Sequence, residues 1–436
     1  MATPSSSRVA IIGGGYAGMA AAVTLARRDI PVTVFEAAPV LGGRARRVTV
    51  NNTPLDNGLH ILIGAYSETL RLIDLVAPQA KDVFLRAPLD WHIHRKFRLR
   101  APALPAPLHL LAALLTAQGM TCGDRLAVVR FMQAMKACEY RLAQDCTVAA
   151  LLAEHHQPVD LIEYLWSPLC VAALNTPPER ASARVFLHVL RDSLGATRAA
   201  SDMLLARVDL SALLPEPAAD YVRARGGAIE LNAAVENVTQ HGQGFALQVR
   251  GTTQHFDQII CAAAPHRAAA LLAGIPALHD TARRIDALGY EPIHSIWLQF
   301  SDSVPLPAPM LGLSGSPAQW LFDREKICGQ RGLIGAVISA SAEHVGVAQD
   351  QLVQRVLADL QTQFGPLPSL DWHQVIAEKR ATFSCTPDLV RPTSITACKN
   401  FFLAGDYTAS DRVTGEYPAT IESAVRSGIT AASLVL

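Results

Sequence analysis

"VAIIGGGYAGMAAAVTLARRDIPVTVFE", residues 9–36, is the stretch on which the fold turns. Residues 9–12 form a short β-branched run, the composition of a strand buried on both faces. Gly13-x-Gly15-x-x-Gly18 follows at once, then an Ala- and Leu-rich run that predicts a helix to about residue 28. Residues 32–35 read as a second parallel strand, closed by Glu36. Strand, glycines, helix, strand and acid in that order predict a dinucleotide site. Gly13 permits a tight turn, Gly15 lets backbone approach a pyrophosphate, and Gly18 lets the helix pack close to the strand. The helix N-terminus offers free N–H groups and a partial positive charge to phosphates. Glu36 is expected to accept hydrogen bonds from a ribose diol and to repel a 2′-phosphate, which disfavours NADP.

The rest of the chain sets the frame for that site. A length of 436 residues suits two or three interleaved domains better than one core. Half of the residues are hydrophobic and only 17% are charged, so a large core still leaves apolar surface. Lys+Arg and Asp+Glu both number 38, and no global positive field draws the chain to nucleic acid. The eight cysteines are scattered without a CxxC pair, which argues against a disulfide framework or a zinc site and for a reducing compartment. The first residues, MATPSSSR, do not read as a secretory signal. A cytoplasmic location is expected.

Two further stretches bear on which nucleotide is bound. Leu41-Gly42-Gly43-Arg44-Ala45 places a glycine pair and a cation just after the ribose acid. Arg44 is expected near the pyrophosphate, and Gly43 allows close approach to a bulky ligand; an NAD site has no need of this element. Asp56-Asn57-Gly58-Leu59-His60 then enters a predicted helical run over 60–76. Far away, Phe401-Phe402-Leu403-Ala404-Gly405-Asp406 reads as a strand ending in Gly405 and Asp406, an acid suited to ribityl hydroxyls. Tyr417-Pro418-Ala419-Thr420-Ile421-Glu422 opens a last helix, with Pro418 in the first turn. N–H groups of Ala419, Thr420 and Ile421 would face the flavin N1/C2=O edge and stabilise the charge of its reduced form. The cofactor expected is FAD.

Together the fingerprint, the GGRA loop, the DNG-x-H segment and the AGD…PATIE helix resemble the FAD-dependent amine oxidase and phytoene desaturase superfamily. The resemblance implies an α/β chain: a Rossmann-type FAD-binding domain with an interleaved α+β substrate domain, an amine oxidase or GDP-dissociation-inhibitor-like fold. The FAD-binding domain is expected from 1–88, 205–285 and 399–436. Residues 89–204 and 286–398 are expected to form the substrate domain. Residues 226–260 read as a β-meander with strands at 228–231, 235–239, 245–250 and 256–261. In the superfamily such a meander returns to the nucleotide domain, and the backbone near Val235 touches adenine.

The first insertion opens with a predicted hairpin (91–94 and 97–100) and is then mostly helical. The second carries predicted strands at 295–300, 320–322, 333–339 and 372–380 and a helix over 347–364. Residues 101–117, APALPAPLHLLAALLTA, combine three prolines with an uncharged run of Leu and Ala too short to span a bilayer. The run suits an ordinary buried helix equally with one that dips into a membrane surface or lines a lipid tunnel, so a peripheral membrane contact stands among the expected partners.

Residues 165–182, LWSPLCVAALNTPPERAS, followed by FLHVLRDSL, resemble the hydroxysqualene dehydroxylase family of bacterial hopanoid and squalene synthesis. The resemblance covers nearly the whole chain. Two departures stand out: Leu59 replaces an expected polar residue, and the loop 407–416 before PATIE is longer than expected. The resemblance implies reductive removal of the allylic hydroxyl of hydroxysqualene, with acid-assisted loss of the hydroxyl and hydride from N5 of reduced FAD. His60 is the first candidate proton donor, with a histidine bonded to backbone as its structural alternative. Asn175 is a candidate to orient the hydroxyl, although Asn before Thr-Pro-Pro is also good turn chemistry. Glu416 is a third candidate; Trp166 and Phe186 read as core. The rival readings are an oxidative desaturase, an amine oxidase, and a flavin-free prenyl-binding protein of the same fold.

Overall fold

Val9–Ile12 lies at the centre of a five-stranded parallel sheet in a computed structural model that describes residues 8–80, 82–344, 346–409 and 416–435. The sheet runs Ala228–Glu230, Val32–Phe35, Val9–Ile12, Gln258–Cys261, Phe401–Leu403, so its outer strands come from the middle and the end of the chain. All four residues of Val9–Ile12 are buried, as the β-branched run requires. The helix Tyr16–Ala26 covers one face and packs on the last helix, Ile421–Ser433. Gly428 permits this contact: a Cβ there would lie 2.1 Å from Ala17 O.

The meander is smaller than the sequence predicts. Val235–His241, Gly244–Val249 and Thr252–Phe256 form a three-stranded antiparallel sheet. Ala228–Glu230 and Gln258–Cys261 join the parallel sheet instead, and the third meander strand falls where a turn was expected. A strand of sequence TTQHF, mostly exposed, shows no alternation of apolar residues to betray it. The predicted helix over 60–76 is also shorter. Leu62–Ile63 pairs with Met203–Ala206, and helix begins only at Ser67–Val76. Gly64 holds that extended piece against Ala199, whose carbonyl would be 1.6 Å from a Cβ at residue 64.

A seven-stranded mixed sheet forms the second layer. Its order is Leu370–Phe383, Tyr290–Phe300, Leu333–Ile338, Trp320–Asp323, Met310–Gly312, then the hairpin Asp90–Ile93 and Phe97–Arg100. Both insertions thus meet in one sheet. The strand Met203–Ala206 straddles the expected boundary at 204/205 and pairs with Phe84–Ala87. Helices Leu108–Thr116, Cys122–Ala137, Val148–Glu154, Ser167–Leu174 and Ala183–Leu194 stand beside this sheet. Thr121 and Asp124 close a capping box at the start of Cys122–Ala137, which stabilises its first turn. Phe131, Trp166 and Phe186 pack edge to face in the core, and Trp166 Nε1 donates to Gln157 Oε1 at 2.9 Å.

Candidate active site

A cleft of about 520 Å³ opens where the carboxyl ends of the parallel strands meet the seven-stranded sheet. Ile12, Phe35, Glu36, Ala262, Gly405 and Asp406 reach it from one side; Ser295, Trp320 and Val337 from the other. This is where an open parallel sheet places ligands. The fingerprint glycines have separate duties. Gly13 has φ +111°, and a Cβ there would lie 2.6 Å from Ala262 O. A Cβ on Gly18 would lie 1.9 Å from Gly13 O, so helix and strand touch through bare backbone. Gly15 differs: the atom nearest to a Cβ there is Gly43 Cα at 3.8 Å, so a side chain would project into the cleft. Gly15 is also the N-cap of Tyr16–Ala26, and no side chain caps that helix. Its N-terminus therefore faces open space between two glycine backbones, the cradle a pyrophosphate requires.

Glu36 accepts hydrogen bonds from Gly14 N (2.7 Å) and Ala38 N (2.8 Å), which hold its carboxylate at the cleft wall with lone pairs to spare. Val235 is buried at the head of the meander and lines the same cleft. Residues 362 positions apart then meet: Arg44 Nη2 donates to Asp406 Oδ1 at 2.5 Å, and Arg44 Nη1 donates to Ala381 O at 2.8 Å. Burial works to lower the Arg44 pKa, but the adjacent Asp406 more than offsets it, and the guanidinium is held above its ordinary value. Gly405 N donates to Ser427 Oγ, which fastens the strand end to the last helix.

That helix starts later than its sequence suggests. Thr420 is the N-cap of Ile421–Ser433 in a capping box with Ser423, so Pro418 precedes the first turn. The Thr420 N–H is spent on Ser423 Oγ at 3.1 Å and is not free for a ligand. Ala419, Thr420 and Ile421 line the cleft. Leu59 packs against Gly335, whose Cβ would lie 2.5 Å from Leu59 Cδ1; the apolar residue stands there because the facing strand makes room for it. In the loop 407–416, residues 410–415 lie outside the described residues. Tyr407 is fully buried and lines the cleft, and Thr408 Oγ1 donates to Gly405 O.

The three candidate catalytic side chains fare differently. His60 lines the cleft, and its Nδ1 is 2.8 Å from Gly58 O. A carbonyl only accepts, so Nδ1 carries the proton and Nε2 presents a lone pair. Burial, with help from Arg44, lowers the His60 pKa. In this tautomer Nδ1–H is spent on Gly58 O, and the neutral ring offers the cleft an acceptor at Nε2. Asn175 is buried at the left-handed end of Ser167–Leu174 (φ 47°), and its amide is committed. Nδ2 donates to Thr382 Oγ1 (3.0 Å) and Glu291 O (3.3 Å), and Oδ1 accepts from Ala340 N (2.7 Å). Asn175 ties a helix to two strands and a turn, which leaves no amide proton for a substrate. Glu416 lines neither this cleft nor the cavity beside it; its carboxylate lies 3.7 Å from the Arg391 guanidinium.

A second cavity, of about 530 Å³, adjoins the first. Its wall is mainly apolar: Leu110, Leu114, Val128, Met132, Leu165 and Trp166 are typical, with Lys136, Asp192 and Glu422 among the few charged residues. The two spaces share Ile61, Tyr66, Ala172, Ala173 and Thr420. Sequence reasoning passed over Tyr66, Ala172 and Ala173. The LCVAAL run marks a helix, but nothing in it says that two alanines stand at a junction of cavities. Leu104, Leu108, Leu111 and Leu115 are 40–63% exposed on the segment whose Leu110, Leu111 and Leu114 line this cavity, while His109 and Ala113 of the same segment are buried. The segment 101–117 is thus a surface element with an apolar outer face. Among the described residues no helix is long and apolar enough to cross a membrane.

An α/β nucleotide domain threaded through a second sheet, with a glycine-lined cleft between them, defines a flavoprotein oxidoreductase. The family model "Flavin containing amine oxidoreductase" matches residues 16–436. Hydroxysqualene dehydroxylase of Rhodopseudomonas palustris is 31% identical over 99% of both chains, and that of Sinorhizobium fredii is 30% identical over 98% of both. Among solved structures, cyclohexylamine oxidase from Brevibacterium oxydans matches with a TM-score of 0.69 at 17% identity, over 98% of both chains, and shows the shared fold. The chain belongs to the flavin-containing amine oxidoreductases and, within them, to the hydroxysqualene dehydroxylase family. It is an FAD-dependent oxidoreductase.

Proposed function

We propose that the protein removes the allylic hydroxyl of hydroxysqualene reductively, giving squalene, as the names of its relatives suggest. The observation that carries this reading is the long apolar cavity running into the cofactor cleft across Ile61, Tyr66, Ala172, Ala173 and Thr420. A C30 hydrocarbon chain needs a dry channel, and its one oxygen has to lie where that channel meets the cleft. FAD, when bound in its two-electron reduced form, supplies the hydride that replaces the hydroxyl.

The remaining roles belong to the protein. Gly15 and Gly43 leave room for the pyrophosphate, Gly13 and Gly18 hold turn and helix close enough to form its cradle, and the N-terminus of Tyr16–Ala26 attracts it. Glu36 takes the ribose and Val235 borders adenine. The Arg44–Asp406 pair joins Gly405 as the floor of the cleft, and Ala419, Thr420 and Ile421 form the wall toward the last helix. Residues 1–88, 205–285 and 399–436 serve as the FAD-binding domain, and 89–204 with 286–398 as the substrate domain. The apolar walls exclude water from the carbon that loses its oxygen. Leu104, Leu108, Leu111, Leu115 and Leu126, each 40% exposed or more, suit docking on a lipid surface from which the substrate enters.

The test is anaerobic. FAD-loaded, chemically reduced protein is mixed with hydroxysqualene, and products are read by gas chromatography. Squalene with stoichiometric reappearance of oxidised flavin absorbance is expected. Flavin-loaded protein that yields no squalene overturns the reading, and bleaching of oxidised flavin by a polyene or an amine would favour a desaturase or an amine oxidase.

A further inference from the structure

We propose that Tyr66 holds the substrate hydroxyl at the junction of the two cavities and gives it the proton with which it leaves. This rests on the reading of the substrate as an allylic alcohol. The reacting carbon must reach the cofactor cleft while the hydrocarbon stays in the apolar cavity. Five residues border both spaces, and Ile61, Ala172 and Ala173 have no polar side-chain atom. Tyr66 and Thr420 remain.

Hydrogen bonding separates these two. The Thr420 hydroxyl caps the last helix and accepts from Ser423 N at 3.2 Å. The Thr420 side chain also bears on the Tyr66 oxygen, a contact that works to lower the phenol pKa. Thr420 is thus engaged with the helix end, whereas the Tyr66 hydroxyl stands at the junction itself. Glu422, the carboxylate whose charge bears on Tyr66, is already occupied: it accepts from Glu68 N, Thr69 N, Thr69 Oγ1 and Arg426 Nε at 2.7–3.1 Å. It therefore does not draw the phenolic proton away. Burial first, then the charge of Glu422, raise the Tyr66 pKa, so the group stays protonated across the working range of pH. The other candidates are excluded by their own bonds: His60 presents a lone pair, Asn175 has no free amide proton, and Glu416 lies outside both cavities.

The chemistry balances. The C–O bond breaks with its electron pair on oxygen, and the Tyr66 proton converts that oxygen to water. Hydride fills the vacant position on carbon. A proton from solvent restores the Tyr66 phenol, so that alcohol, one hydride and one proton give hydrocarbon and water.

Binding to oxidised holoenzyme, which cannot turn over, supplies a readout independent of activity. Trp91 and Trp166 line the apolar cavity, and their fluorescence is titrated with hydroxysqualene and with squalene in identical micelles. Wild type is expected to bind the alcohol about tenfold more tightly than the hydrocarbon, the effect of one buried hydrogen bond. Tyr66→Phe is expected to retain FAD absorbance and squalene binding, to lose the preference for the alcohol, and to slow single-turnover reduction about 100-fold. A Tyr66→Phe variant that keeps both the preference and the rate overturns the proposal, as does a wild type that shows no preference while still turning over. A wild type that binds neither ligand and makes no squalene removes the substrate reading itself, and Tyr66 with it.

Discussion

The two adjoining cavities are nearly equal in size, about 520 and 530 Å³, and are built by opposite means. The glycine-lined cleft owes its narrow end to backbone: glycines at 13, 15, 42 and 43, the ends of parallel strands, and one helix N-terminus. The second cavity is made of side chains contributed by helices and strands from residue 61 to residue 422. Backbone geometry tolerates no Cβ at its tightest points, so the cleft should respond to substitution in an all-or-none way. A wall of Leu, Val and Met can repack, and the cavity should respond in steps.

The largest effect expected separates two glycines of the cleft. Gly18→Val puts a side chain 1.9 Å from Gly13 O, against backbone that cannot yield. The variant should fail to fold, or melt far below wild type. At Gly15 the Cβ of Gly15→Val comes no nearer than 3.8 Å to Gly43 Cα, so the variant should fold with a near-wild-type melting temperature, yet emerge colourless and bind added FAD at least about 100-fold more weakly. Circular dichroism and flavin absorbance distinguish the two. A yellow Gly15→Val protein would break the assignment of the cleft to the cofactor.

Next in size is a block at the junction. Ala173→Phe fills the passage between the spaces without touching the fingerprint. Squalene formation should fall about 100-fold, because a misplaced substrate forfeits most of its orientation advantage. The flavin spectrum should not change. Loss of both signals together would mean that the cavities are one site in energetic terms, and the comparison would lose its meaning.

The same contrast governs what the sequence reveals. The cleft is legible because its parts are local: Gly13, Gly15 and Gly18 fall within six consecutive residues, and each has a steric reason that one sequence displays. Gly405 and Asp406 are legible for the same reason, although their pairing with Arg44 across 362 positions is not. Asn175 shows the limit. Its local signal, a left-handed helix end before Thr-Pro-Pro, is real, but its side chain is decided by Glu291, Thr382 and Ala340, all more than 100 residues away. His60 shows another limit. The histidine is where the motif predicts, and a carbonyl two residues back engages its Nδ1–H, a contact the motif does not display. The apolar cavity is hardly legible at all, since Leu, Ala and Val in a helix look alike whether they face a core or a void.

Asp56 sharpens the comparison through stability. It is buried behind the cleft, where its Oδ1 accepts from Leu210 N at 2.8 Å. Burial is the main cause that raises its pKa to about 7. An unfolded Asp titrates near about 4. Below that value both states are protonated and Asp56 contributes nothing. From about pH 4 to 7 the folded state binds the extra proton, so stability should fall as pH rises, and above about 7 the penalty is complete and constant. Asp56→Asn keeps an acceptor for Leu210 N and removes the charge. Denaturant titrations should show that it gains up to about 4 kcal/mol over wild type at pH 8 and little at pH 4. Equal gains at both values would mean that charge at this position is not the cause.

The smallest effect expected lies at the outer end of the apolar cavity, where side chains meet solvent. Leu115 is 63% exposed on the helix Leu108–Thr116, whose buried face includes His109, Ala113 and Leu114. Burying the rest of one leucine in a lipid surface is worth about 1–2 kcal/mol, so Leu115→Ser should weaken binding to phospholipid vesicles by about tenfold. Fold and flavin content should be untouched, because the side chain supports neither. Micelle-delivered substrate should turn over normally, whereas vesicle-delivered substrate should react more slowly. If both forms of delivery slow equally, Leu115 shapes the cavity wall rather than a docking face, and the outer leucines belong to the packing of the helix. The experiment therefore separates entry from residence, a distinction to which the backbone-built cleft, closed to repacking, has no counterpart.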